Sequence, residues 1–440
     1  MSGSSGPTGD GRAARTPLPR GFVSLWLTVV LDLLGFGIVL PILPLYVRDL
    51  GAKPLMVGVV LSAYSAAQLV GSPILGRLSD RHGRRPVLVI ALVGSAVGHV
   101  LTGLAGAVPL IIVARAIDGF SGGSLSIAHA AAADLAPPPE RPRLFGLLGA
   151  GIALGFVAGP ALGSLAARGG VRVPFFVAAA LCAGNAVTAW WRLSALPRPA
   201  GSVALPGAAG ATGAAGAAGA AGAAASATGP ETAGRSGLGG AFALIGWSTL
   251  LGRTLLTALV LGIGFAGFES TFGLLGQERV GLTVGSAGLV FAGVGVVLSV
   301  VQGFGVKRVI GALGAVRTAR LAVTINLVGF AVLIPATGWW GLVPALGLLT
   351  VGQGLWNPAM STVLSAVAPQ ERRGAVFGAQ QAVGAASRIV GPLVALGLFG
   401  IATPVPYAVG VALALVGLFA LAAVPSDAAT PVSPAGPAGH

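Results

Sequence analysis

The sequence predicts an all-α integral membrane protein: twelve transmembrane helices in two pseudo-symmetric halves of six. Three observations carry that prediction. The 440 residues are 55% hydrophobic and only 9% charged, with a mean hydropathy of +0.90. Apolar runs of about 20 residues, long enough to cross a ~30 Å hydrocarbon core as helices, recur along the whole chain. Short motifs of the first half return in the second at a nearly fixed spacing.

The elements follow in order. Residues 1–21 are polar, with no apolar core or small-residue cleavage site. They read as a cytoplasmic tail, not a cleaved signal, and the first span directs insertion. The N-terminal half, 22–192, holds spans at 22–47, 55–76, 86–106, 109–134, 144–167 and 173–192. Residues 193–247 differ in kind. Their stretch "GAAGATGAAGAAGAAGAAASATG" has glycine at nearly every third position. Each glycine opposes helix by about 1 kcal/mol, and no large side chain is there to bury. The segment reads as a flexible cytoplasmic linker. The C-terminal half, 248–424, holds spans at 248–275, 284–306, 317–335, 340–366, 375–399 and 404–424. Residues 425–440 form a cytoplasmic tail.

A net charge of +14 in a soluble chain would point to nucleic acid. Here the basic residues fall in alternate loops. With both termini cytoplasmic, nineteen Lys and Arg lie inside and five outside, and Arg115 and Arg388 lie within spans. That imbalance sets the orientation in the cell membrane. No nucleic-acid partner is expected. The single Cys182 excludes an intrachain disulfide and a cysteine metal cluster. No cofactor and no metal are expected, and the chain is expected to act as a monomer in the lipid bilayer.

The halves look duplicated. "APPPERPRLFG" (136–146) precedes span five and "APQERRGAVFG" (368–378) precedes span eleven. Phe145-Gly146 and Phe377-Gly378 are 232 residues apart, as are Gly159-Pro160 and Gly391-Pro392. "GFGVKRVIG" (303–311) is a worn copy of "GRLSDRHG" (76–83), with Lys307 where the first copy has Asp80. Such repeats mark many secondary transporters, with the substrate site between the halves.

These motifs resemble those of the major facilitator superfamily, in particular its twelve-span drug:proton antiporters of the tetracycline-efflux type. The loop after span two matches the signature G-x-L-x-D-R-x-G-R-R at Gly76, Leu78, Asp80, Arg81, Gly83, Arg84 and Arg85. "RAIDGFSGG" (115–123) resembles the span-four signature. "GAGIALGFVAGPALG" (149–163) resembles the span-five antiporter signature, and "LDLLGFGIVLPILPLYV" (31–47) the first span with its aspartate and paired prolines. The resemblance implies that Asp80 clasps the inner end of span eleven and locks the inner side while the carrier faces outward.

Each motif also has its own physics. Gly76 and Gly83 permit a tight turn, Asp80 can accept from helix N-termini or arginines, and Arg84 can reach Asp134 or Glu140. Gly151, Gly155, Gly159 and Gly163 step by four and form a ridge that another helix can approach closely. Pro160 bends that helix.

Charges inside spans cost at least ~2.5–3.5 kcal/mol at mid-bilayer, so each needs a partner or a wet cavity. They are Asp32, Arg115, Asp118, Glu269 and Arg388, with His99 and His129 as weaker candidates. Arg115, Asp118, Gly122, Ser126 and His129 share one face of a continuous helix. Asp32 lies 12 residues beyond Arg20, about 18 Å deep, and Arg115 reaches a similar depth from the other side. Asp32, Arg115 and Asp118 therefore form a candidate proton-coupling group if spans one and four both face the cavity, as the resemblance implies. The alternative is a fixed Asp32–Arg115 ion pair.

Glu269 and Arg388 both fall roughly 22–24 Å from the inner surface. They pair with each other, or Glu269 contacts a cationic substrate. Phe36, Phe265, Phe268, Phe272, Trp356 and Asn357 offer an apolar ligand surface or plain packing.

The expected function is alternating-access, proton-coupled efflux of a lipophilic or amphiphilic small molecule. Competing readings are a proton-linked importer of a sugar or other metabolite, and a non-transporting receptor or scaffold with a transporter fold. No Ser-His-Asp order, metal cluster or phosphate loop supports an enzyme.

Overall fold

The computed structural model describes residues 18–137, 140–193, 250–368 and 373–425. The linker and most of both tails lie outside the described residues. Span one runs as Phe22–Val39 and Leu43–Asp49, span two as Pro54–His82, and span three as Arg84–Leu104. Span four is Val108–Ser121 followed by Ser124–Leu135, span five Arg141–Ala167 and span six Val173–Arg192. Span seven is Leu250–Val280. Span eight is Val284–Val300, a π-helical turn Val301–Gly305, and Val306–Leu313. Spans nine to twelve are Ala315–Leu333, Trp339–Val367, Arg373–Phe399 and Val405–Ala422.

Eleven of the twelve are long and apolar enough to cross a membrane. Span ten is the exception. It has 29 residues, but Gln353, Asn357, Pro344, Pro358 and its tryptophans dilute its hydropathy. Spans two, four, six and twelve open with proline in the first turn, where its missing N–H costs nothing. Span one breaks near Pro41, which cannot donate to the preceding turn.

Two expectations need correction. Gly76 is not a turn residue: the helix of span two continues through it to His82, so Asp80 is helical rather than beyond the helix. Only Gly83 makes the turn, at φ +97°. Its counterpart Gly314, at φ +79°, ends span eight, so the worn motif copy is also helical. Span four is not continuous: it breaks at Gly122-Gly123, where helix propensity is lowest.

Among the described residues the buried apolar side chains form three cores. One joins both halves at the end away from the arginine-rich loops. It brings Ile38, Ile42 and Val57 of the first half together with Phe272, Leu275 and Phe399 of the second. At the basic end each half keeps a core of its own. Leu25, Leu88 and Leu148 belong to one, and Val316, Met360 and Leu364 to the other.

Contacts between halves agree with that division. Ser62 Oγ donates to Ile389 O at 2.7 Å. A Cβ on Gly58 would lie 2.7 Å from Pro392 O, and one on Gly295 2.9 Å from Val157 Cγ2. The far end is closed, while at the basic end the described halves share no core.

The span-five ridge packs on span one. A Cβ would stand 2.8 Å from Trp26 Nε1 at Gly151, 2.5 Å from Leu33 Cβ at Gly155, 2.8 Å from Gly37 Cα at Gly159 and 2.8 Å from Ile38 O at Gly163. Only bare glycine allows that approach. Pro160 turns its ring toward Gly37 of span one and its carbonyl toward Gly288 of span eight. Spans seven and eleven repeat the arrangement: a Cβ on Gly391 would lie 2.8 Å from Ile263 O.

Candidate functional site

The first half holds a compact charged site. Arg115 Nη1 donates to Asp118 Oδ2 at 2.5 Å, one helical turn away. Both side chains are 5% exposed. A buried ion pair at (i, i+3) is what that spacing favours, and burial makes it expensive to break from one side. His99 Nδ1 of span three stands 3.8 Å from the same carboxylate oxygen. The Arg115 guanidinium lies 4.3 Å over the Tyr64 ring of span two, a cation–π contact that offsets part of its desolvation.

Asp32 is not paired with Arg115 here. Ser124 Oγ donates to its Oδ2 at 2.5 Å. Asp32, Asp118, Ser124, His99, Tyr64 and Phe36 line one cavity of about 20 Å³, room for about one water. Thus the structure brings Asp32 and Asp118 into one small cavity, with Arg115 held on Asp118.

The helix break explains what the sequence missed. Stepping along a continuous helix put Ser126 and His129 on the cavity face. The break re-aims the chain, so Ser124 meets Asp32. His129 instead packs against Phe145, with ring centroids 5.9 Å apart, and its Nδ1 lies 2.9 Å from Leu125 O. The Gly-Gly pair was the available signal. Gln68 Nε2 of span two donates to Gly122 O at 3.0 Å and fixes the break.

At the basic end, Arg84 forms a latch. Its Nε donates to Asp134 Oδ2 at 3.0 Å and its Nη1 to Ser79 Oγ at 2.9 Å. Nη1 also pairs with Asp80. One buried guanidinium so ties the ends of spans two, three and four. Arg85 stacks 4.4 Å over Trp190 of span six, and Arg81 is exposed. Residues 369–372, at the start of the span-eleven segment that Asp80 is expected to clasp, lie outside the described residues.

Asp80→Asn is expected to raise the labelling rate of a cysteine at Gly146 roughly a few-fold, because a neutral amide bonds arginine and helix N–H groups more weakly than a carboxylate. Gly146 has open space for a new side chain. Unchanged labelling with normal transport would reduce the motif to a topology signal.

In the second half, Glu269 lies on span seven and Arg388 on span eleven, two helices in close contact at Gly267 and Gly391. Phe265, Phe268 and Phe272 run along span seven into the far-end core, with Phe268 and Phe272 centroids 5.5 Å apart. Phe36 lies 5.4 Å from Tyr64. Trp356 is 4% exposed and packed in the basic-end core of its half. In this state the aromatics of the second half are mainly packing. Asn357 Nδ2, Gln302 Nε2 in the π-helical turn and Ser361 Oγ are buried without a partner among the described residues.

Two helical halves with a shared far-end core, and charged groups buried within the spans of one of them, are the architecture of a membrane transporter. A family model, the Major Facilitator Superfamily, matches residues 25–392, and the chain belongs to that superfamily of membrane transporters. It is 29% identical to the tetracycline resistance protein, class G, of Vibrio anguillarum, over 83% of this chain and 87% of that one. It is 24% identical to the quinolone resistance protein NorA of Staphylococcus aureus, over 89% and 93%. The solved nucleoside transporter NupG superposes with a TM-score of 0.68 at 15% identity, over 92% of this chain and 98% of that one.

Proposed function

We propose that the chain exports lipophilic or amphiphilic small molecules from the cytoplasm in exchange for protons. The observation that carries this reading is the cavity holding Asp32 beside the Asp118–Arg115 pair. A half-buried carboxylate whose hydrogen bond among the described residues comes from a hydroxyl can gain and lose a proton as its surroundings alternate between dry and wet. Asp118 is occupied by the buried Arg115. The resemblance to resistance proteins over most of their length supports export, and tetracycline and quinolones are the first compounds to try.

With the basic end cytoplasmic, the far-end core seals the outside and the observed state faces inward. Opening outward must split that core, which joins Ile42 and Phe272. It must also bring the two basic-end cores together, where Asp80 would clasp span eleven.

Everted membrane vesicles test the proposal. Energised vesicles are expected to accumulate tetracycline or a quinolone, and collapsing the proton gradient should release it. Accumulation that ignores the gradient would refute proton coupling. Proton-driven loss from the vesicle lumen would instead favour import.

A further inference from the structure

The outer loops of the two halves are copies of one another with their charges exchanged. Arg48-Asp49-Leu50-Gly51 closes span one, and Glu278-Arg279-Val280-Gly281 closes span seven, 230 positions later. The register holds in the structure. Gly51 and Gly281 both turn at positive φ, +81° and +65°. The next helices start at Pro54 and Val284, and Gly37 and Gly267 meet spans five and eleven at Gly159 and Gly391. Arg48 therefore holds the place of Glu278, and Asp49 that of Arg279.

The two copies share one cavity across the seam. Arg48, Asp49, Gly51 and Ala52 of the first half and Leu274, Gln277 and Glu278 of the second line about 510 Å³ at the far end. Leu274 also belongs to the shared core, with Leu45 and Val47. Thr403 Oγ1 donates to Glu278 Oε2 at 2.9 Å and holds that carboxylate from the loop before span twelve. Arg279 is spent elsewhere: it donates to Leu333 O at 2.8 Å and Ile334 O at 3.1 Å and closes the end of span nine. The second half so offers its carboxylate to the seam and keeps its arginine for itself, while the first half offers Arg48.

We infer that Arg48 and Glu278 are positioning residues of an outer gate: opposite charges on two copies of one loop, apposed while the outer side is shut and parted when it opens. This goes beyond the proposed function. It rests on the inward-facing reading of the observed state, not on proton coupling. Both side chains border water, so their attraction is that of an exposed pair, a few-fold in population rather than orders of magnitude, and salt screens it. Asp49, exposed on the same cavity, tempers the attraction.

The test uses the full chain in intact cells, with Gly273→Cys as the parent. A Cβ at Gly273 stands 3.9 Å from Leu45 Cγ and from Pro41 O, so the new side chain fits the seam between spans one and seven. A membrane-impermeant maleimide reaches it from outside only when the outer side opens. The chain without the new cysteine gives the background from buried Cys182. Glu278→Arg and Arg48→Glu each set like charges across the cavity. Each is expected to raise the labelling rate at least ~twofold at low salt, and the rise should shrink in about 1 M salt. Combining Arg48→Glu with Glu278→Arg restores opposite charges and is expected to return the rate to that of the parent.

Single variants that label like the parent overturn the inference. So do single variants that label faster and are not rescued by the swap, which is the result of a merely structural role. Neither outcome touches proton-coupled export, which accumulation in everted vesicles tests separately. Labelling of the parent in everted vesicles but never in intact cells would reverse the assigned orientation and overturn this inference with it.

Discussion

Asp32→Asn is expected to abolish proton-driven transport while leaving a folded carrier. In everted vesicles, concentrative uptake should fall at least ~tenfold, a loss of about 1.4 kcal/mol or more in driving, to the level seen when the gradient is collapsed. Binding of the same compound should change little. The asparagine has the same shape, and its carbonyl oxygen can still accept from Ser124, which now donates to Asp32 Oδ2 at 2.5 Å. What it cannot do is release a proton.

The structure also shows why this substitution separates chemistry from stability. The guanidinium of Arg115 is held by Asp118 at 2.5 Å, so neutralising Asp32 strands no buried cation. Asp118→Asn is the contrast. It leaves Arg115 buried without its carboxylate, a loss of ~3–5 kcal/mol for a broken buried pair, and should lower the amount of folded protein. Wild-type proton-driven transport by Asp32→Asn would falsify the role given to this residue.

How much of this was legible in the sequence differs from residue to residue. The spans were legible because a hydrocarbon core demands long apolar runs, whatever the tertiary contacts. That Arg115 and Asp118 share one face was legible because three residues apart means one face of one helix; the ion pair named from the sequence was Asp32–Arg115, and the structure pairs Arg115 with Asp118 instead. Arg84 with Asp134 was one of two stated options. The partner of Asp32 was not legible. It depended on a break at Gly122-Gly123, and a break re-aims every residue beyond it, turning Ser124 in and His129 away. Asp80 illustrates a different limit. A motif shared by a family implies contacts in all states of the cycle, and one structure shows one state. Here Asp80 holds Arg84, four residues on. Glu269 and Arg388 were matched by depth alone, a coordinate that says nothing of which faces of spans seven and eleven they occupy.

Gly159→Val is expected to cripple the protein through packing alone. At this position two helices meet backbone to backbone. A Cβ on Gly159 would stand 2.8 Å from Gly37 Cα and 2.9 Å from Leu34 O, and a Cβ on Gly37 would stand 3.2 Å from Gly159 Cα. No flexible side chain lies at the contact to swing away, so a branched side chain can be admitted only by moving span one as a body. Overpacking of this kind costs about 1–3 kcal/mol, and the melting temperature in detergent should fall accordingly. Function should suffer further, because Leu33 and Leu34, which face the ridge at Gly155 and Gly159, directly follow Asp32. A displaced span one pulls that carboxylate from Ser124 and distorts a cavity of only about 20 Å³. Gly146→Ala on the same helix is the control. Nothing lies within 4 Å of its new methyl, so stability and transport should be unchanged. If Gly159→Val melts and transports like the parent, the close approach of spans one and five does not position Asp32.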